Sequence, residues 1–217
     1  MGRIFYVSSM HGDDTNSGQT PEDAFRSLRK INQLEIQPGD QIFLGRGSVF
    51  IGEYLHLYAG GTKEAPVVVD AYGEGALPRI EADGNGIWYQ NYGGHLDNVV
   101  HIWKGYLSSA VLLYDAEYIS IRNLEITNNP CIKNERLNQA DRMNRTGVSV
   151  IAQNHGTLHQ IELDHLYIHD VEGNIYDKHL NNGGIYMSVS RPDDEEKTGI
   201  ARYDGVHIHH CKVEKCR

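Results

Sequence analysis

The chain has 217 residues and a formal net charge of −9, with 23 % charged and 40 % hydrophobic residues. That length allows one domain with a sizeable core. The acidic balance and the lack of a long basic run argue against a grip on nucleic acid or anionic membrane, and no apolar stretch approaches the roughly 20 residues of a membrane span.

Met1-Gly2-Arg3 leads straight into a first strand at residues 4–7, with no signal peptide ahead of it, so this start reads as an engineered start, a gene-prediction start or a fragment boundary. His11 to Gly18 is turn chemistry, built of short Asx side chains and glycines. Its clustered Asp residues lack the order of an EF-hand loop. Thr20-Pro21-Glu22-Asp23 has the form of a helix start, and Ala24, Phe25, Leu28, Ile31 and Leu34 then form the stripe of a helix of about three to four turns. Such a helix would cap one end of a coil. After a turn at Pro38-Gly39-Asp40, short strands are expected at 41–44, 54–57, 67–71, 79–81 and 98–103.

Beyond residue 104 one phrase occurs three times, beginning at Tyr118, Gln160 and Gly205. Four columns are apolar in every copy: 119/161/206, 121/163/208, 124/166/211 and 126/168/213, with offsets of 42 and 45 residues. Each copy reads as a period-2 strand, a polar two-residue corner and a second short strand. A weaker phrase, Ala110–Leu113, Gly147–Val150 and Gly184–Met187, supplies a third strand per turn. Three strands per coil, stable only when stacked, describe an all-β parallel β-helix. The chain is read as one domain, 1–217. Residues 1–40 form a strand and capping helix, 41–104 the first irregular coils, and 105–217 regular coils with long loops at 128–146 and 170–183. Ending on the third copy, it is expected to be truncated at its C-terminus, with an open last rung.

Phe5–Ser9, Gly12–Gly18, Ala24–Leu28 and Pro38–Asp40 together resemble the opening of secreted right-handed β-helix proteins, among them polysaccharide lyases and glycoside hydrolases. Arg145–Val150, His165–Gly173 and Asn182–Tyr186 resemble proteins grouped around glycoside hydrolase family 141, whose activities include α-fucosidase and xylanase. The resemblance implies a longer protein, a secreted, periplasmic or cell-surface location, and catalytic carboxylates in later coils. None of its catalytic residues carries over by position.

Alternation places Arg122, Asp164 and His209 outward in one column, as an ion-pair ladder or a solvated surface pairing. The column Thr127/His169/Glu214 stands at the strand end from which both loops leave, with Asp170 beside it. Glycoside hydrolysis needs two carboxyl groups about 5–9.5 Å apart, and Asp170 and Glu214 on adjacent coils are the candidates, with His169 between them. Elimination instead needs a base and a cation, for which Arg145, Lys178 and His179 have suitable chemistry. Asp177, Lys178, His179 and Asn182 suit sugar hydroxyls, and Tyr186 offers a stacking face. Two of the three His near the end of the chain, His207 and His209, face outward while His210 sits at a corner, so no metal is expected. Cys131, Cys211 and Cys216 lack metal-ligand spacing, and Cys211 fills an inward column.

The resulting expectation is a carbohydrate-active enzyme, a glycoside hydrolase acting on a plant or bacterial polysaccharide, pectin included. The alternatives are a polysaccharide lyase, with calcium as its cofactor, and a non-catalytic glycan-binding or adhesin β-helix. The partner is a polysaccharide or oligosaccharide, and the oligomeric state stays open.

Overall fold

The computed structural model describes residues 2–91, 104–130, 143–173 and 181–216. Its strands stack into three parallel sheets, one strand of each sheet per coil, which makes a parallel β-helix. The first coil comprises β2 (Gln41–Gly45), β3 (Val49–Ile51) and β4 (Leu55–Leu57), preceded by β1 (Ile4–Val7) and α1 (Leu28–Asn32). The second has β5 (Val67–Tyr72), β6 (Arg79–Glu81) and β8 (Lys104–Tyr114), with β7 (Ile87–Asn91) pairing antiparallel to β8. The third has β9 (Ile119–Arg122), β10 (Glu125–Asn128) and β11 (Asn144–Ala152), and the fourth β12 (Thr157–Asp164), β13 (Tyr167–Val171) and β14 (Gly183–Val189). After α2 (Glu195–Thr198), β15 (Arg202–His209) and β16 (Lys212–Cys216) begin the fifth.

The repeat columns fall in register. Ile119 pairs with Ile161 and that with Val206; Ile121, Leu163 and Ile208 align likewise, as do Ile126, Ile168 and Val213. The third-strand phrase also aligns, Val111 with Val148 and Ile185. Ile121, Leu163, Ile126 and Ile168 are fully buried, since each side chain sits between identical faces of the coils on either side. On the fifth coil the same columns are partly open, Ile208 at 45 % and Val213 at 47 % exposure.

On the third coil, close stacking leaves no room for a side chain at Gly147 in β11. A Cβ on Gly147 would lie 2.5 Å from Ile168 Cγ2 and 2.7 Å from the Gly184 carbonyl oxygen. Gly147→Ala should therefore cost about 1–3 kcal/mol through overpacking, read as a lowered melting temperature. The corner between the first two strands is a single residue at positive φ in three coils, Asn123 (58°), His165 (50°) and His210 (52°). Asn suits that conformation better than His does.

The N-terminal helix is shorter than its stripe suggests. Only Leu28–Asn32 is helical, with Ser27 at the N-cap. Phe25 instead bridges Val7, donating its N–H to the Tyr6 carbonyl and accepting from Ser8 N–H. Asp14 accepts from Ser27 N–H and Oγ, which fixes the entry to α1. These tertiary bonds keep 20–27 in a turn and an isolated bridge rather than a helix, against its local helix signal. Leu28 and Ile31 still bury into the core of the first coils. The expected Pro38–Asp40 turn forms, with Asp40 buried and ion-paired to Arg3 at 2.6 Å. The expected strand at 98–103 lies outside the described residues, and β3 and β7 had no strand expectation. Among the described residues no helix is long and apolar enough to cross a membrane.

Candidate functional site

On the outer face of the second sheet, β13 presents Tyr167 and His169 while Ile168 and Val171 point into the core. The register with β10 shifts there: Ile126 meets Ile168 but Asn128 meets Val171, so His169 and Asp170 together face Thr127. Asp170 is the inserted residue, at φ 49°. Such bulges re-aim a side chain and cluster near active sites, and a non-glycine residue held at positive φ is strained.

His169 is mostly covered, with 13 % of its side chain exposed, and joins two carboxylates. Its Nδ1 is 2.6 Å from Asp170 Oδ2 and its Nε2 3.0 Å from Glu125 Oε1. Tyr167 stacks on the imidazole with ring centroids 4.2 Å apart. The result is a rigid carboxylate–imidazole–carboxylate chain with Asp170 at its accessible end.

Glu214 stands next to His169 in the ladder of the fifth coil. Its carboxylate accepts from Tyr167 Oη at 2.6 Å and pairs with Lys212 Nζ at 3.0 Å. The Tyr167 hydroxyl, then Lys212, hold the Glu214 carboxyl below its usual range, and the same bond pushes the Tyr167 phenol up to about 12. Glu214 therefore stays ionised at neutral pH and suits charge stabilisation or base chemistry better than proton donation.

Arg145 and Asn182 meet at the roots of the two loops. Arg145 N–H donates to Asn182 Oδ1 at 2.8 Å, and Nη1 donates to the Glu172 carbonyl at 3.0 Å. Gly173 makes room for this clamp, because a Cβ there would lie 2.0 Å from Asn182 Oδ1. Tyr186 lies apart, on the outer face of the third sheet, packed against Trp88, Leu107, Leu112 and Ile151. Gln90 Nε2 donates to the Tyr186 hydroxyl at 3.2 Å, and Asn181 Nδ2 to Gln90 Oε1 at 2.8 Å. The expected residues thus divide into two groups, His169, Asp170 and Glu214 on the second sheet and Arg145, Asn182 and Tyr186 at the loop roots and third sheet. Asp177, Lys178, His179 and Cys131 lie outside the described residues, as do the middles of both loops, so the expected single groove between them does too. Glu125, Trp88 and Gln90 received no site assignment from the sequence. Period-2 alternation around Ile126 puts Glu125 on the outer face, and the alternation of residues 87–91 is the available signal for the other two.

The Arg122/Asp164/His209 ladder divides as well. Arg122 pairs with Asp70 on the preceding coil at 2.8 Å, and Asp164 turns to His209 at 2.9 Å. Asp70 stands in the same column one coil earlier and offers Arg122 an acid on that side.

Beneath the third sheet's outer face, His56 donates Nε2–H to the Ser109 carbonyl at 2.9 Å, and burial pushes it from 6.5 down to about 4. The unfolded chain takes up a proton at His56 below pH 6.5, where the folded chain does not. Stability is therefore complete above pH 6.5 and declines as pH falls towards about 4, by about 3 kcal/mol at most from this group. Denaturant unfolding at neutral and acid pH should show that decline, and His56→Gln should flatten it. A cleft of about 530 Å³ beside α1, lined by Asp14, Arg29, Glu53 and Tyr54 among others, holds none of the expected site residues.

No protein-family model matches the chain. A lacto-N-biosidase of Bifidobacterium longum subsp. longum is 37 % identical over 245 aligned residues, covering 98 % of this chain and 15 % of that protein. Two crystal structures of a glycoside hydrolase family 136 lacto-N-biosidase from Eubacterium ramulus are 53 % identical, with a TM-score of 0.91, covering 99 % of this chain and 34 % of theirs. The chain thus spans a minor part of each relative's length. These relatives replace the family 141 group expected from the motifs at 145–150, 165–173 and 182–186. Those motifs record strand starts, corners and glycine contacts of the coil, which different β-helix families share for reasons of packing. Over nearly all of its length, the chain is similar to a segment of the family 136 lacto-N-biosidases.

Proposed function

We propose that this chain is part of a glycoside hydrolase of the lacto-N-biosidase type, acting on an oligosaccharide, with Asp170 as a catalytic carboxyl group. The observation that carries the class is the 53 % identity and TM-score of 0.91 with the Eubacterium ramulus lacto-N-biosidase. The bulge at Asp170 and the His169–Glu125 support behind it favour the residue assignment. This substrate class takes the place of the plant or bacterial polysaccharide expected from the sequence. An extracellular or cell-surface site of action belongs to the same proposal.

In this reading Asp170 faces the scissile bond, and His169 is a positioning residue that orients its carboxylate. Glu214, kept ionised by Tyr167 and Lys212, supplies the second carboxylate that glycoside hydrolysis requires. Arg145, buried and bonded to Asn182 and the Glu172 carbonyl, braces the loop roots rather than meeting a sugar, and Tyr186 on the third sheet stands apart from these carboxylates.

The test is incubation of the chain with an aryl lacto-N-bioside. Hydrolysis releases the phenol and a reducing sugar, and that is the expected result. An unsaturated, ultraviolet-absorbing sugar would mark elimination instead. Binding of lacto-N-biose without turnover would reassign the chain to substrate recognition.

A further inference from the structure

His165 and His210 occupy the same corner on the fourth and fifth coils, both at positive φ. Stacking brings their rings together at an interplanar angle of 29°, with centroids 4.6 Å apart. Both rings turn Nδ1 towards one atom, Asp164 Oδ1, at 2.6 Å from His165 and 3.1 Å from His210. His209 adds a third Nδ1 at 2.9 Å from the same oxygen. Three imidazole nitrogens therefore converge on one carboxylate oxygen whose side chain is only 18 % exposed.

His209 Nδ1 and His210 Nδ1 lie 2.9 Å apart. The three Nδ1 atoms and Asp164 Oδ1 thus form one compact set of ligand-type atoms, and each unprotonated imidazole nitrogen and the carboxylate oxygen carries a lone pair that a shared cation would accept.

From this geometry we propose that Asp164, His165 and His210 bind one Zn²⁺ ion, with His209 beside them. The ligand atoms of these three residues lie within 4.8 Å of one another. Zinc bonds of about 2.0–2.2 Å in a tetrahedron need ligand atoms roughly 3.4 Å apart, a distance that side-chain rotation provides. Imidazole nitrogen with one carboxylate suits Zn²⁺ or a neighbouring first-row dication, whereas Ca²⁺ wants six to eight oxygens. His165 and His210 are 56 % and 65 % exposed, which leaves a coordination position for water. This set differs from the one set aside on sequence grounds, His207, His209 and His210, because it takes its acid and its first imidazole from the preceding coil. Zinc here would tie the fourth coil to the fifth and so bind the folded chain alone.

The test is calorimetric titration of ZnCl₂ into tag-free, chelator-treated chain, with thermal melts alongside. The expected result is one saturable site per chain, a melting temperature that rises with zinc, and no response to Ca²⁺. The double variant His165→Asn, His210→Asn keeps residues that tolerate the corner conformation, so its metal-free melt should stay near that of the parent while zinc binds more than about tenfold more weakly. Asp164→Asn provides a second route to the same loss if the double variant does not fold. No saturable one-to-one binding, or equal affinity in the folded variants, overturns the proposal.

Discussion

Leu163→Asp should leave the chain unable to fold, with the expressed protein insoluble or lacking a cooperative melt. Leu163 has no exposed surface and lies in register between Ile121 on the third coil and Ile208 on the fifth. A carboxylate there has no polar partner among those neighbours. Either it stays charged at a cost of several kcal/mol, or it is protonated and still leaves buried polar atoms unsatisfied. A domain's whole stability is only about 5–15 kcal/mol. The loss also spreads, because a coil that cannot seat its neighbour removes the interface on both sides. Leu163→Met is the control and should cost under about 1.5 kcal/mol, since volume and polarity are nearly conserved. A soluble Leu163→Asp protein with an unchanged melt would mean that this column does not carry the core.

The second large effect is on turnover. Asp170→Asn should lower kcat/KM on an aryl lacto-N-bioside by about 10²–10⁴-fold, the range for loss of a positioned acid–base group. Stability should shift by less than about 0.5 kcal/mol, as for surface changes that remove no packing. The reasons are local. Asn is isosteric with Asp and tolerates the φ of 49° at the bulge, so backbone and bulge survive. The Asp170 side chain is 43 % exposed, so the change leaves no charge newly buried. What disappears is the charge and the proton-transfer capacity. Glu214→Gln should also reduce turnover, and a blunted pH profile in His169→Gln would identify that imidazole as a positioning residue. Equal turnover in Asp170→Asn and the parent would remove Asp170 from the chemistry while leaving the fold reading intact.

The coil was legible in the sequence because a stacked solenoid repeats one burial problem. Each turn must place apolar groups at the same positions, so the columns through Ile121, Leu163 and Ile208 stand out without any structure. The polar corner was visible too, although Asn123, His165 and His210 do not disclose that the backbone turns to positive φ there. The helix expected after Thr20 is cut short, because Phe25 gives its backbone to β1 and Asp14 takes the amide of Ser27. No local signal reports such long-range bonds.

The sites depended still more on tertiary structure. Alternation puts His169 and Asp170 at a strand end, but the register shift against β10 decides that both face Thr127 and that His169 reaches Glu125. The same holds for the imidazoles around Asp164, which belong to two coils and meet only when those coils stack. Likewise Trp88 and Gln90 reach Tyr186 only because β7 folds back antiparallel on β8. By itself, then, the sequence determined the parallel coil, its inward columns and the strand ends where chemistry is sought. Which side chains meet there was decided by register and bulges, since a shift of one residue along a strand turns a side chain from the core to the surface.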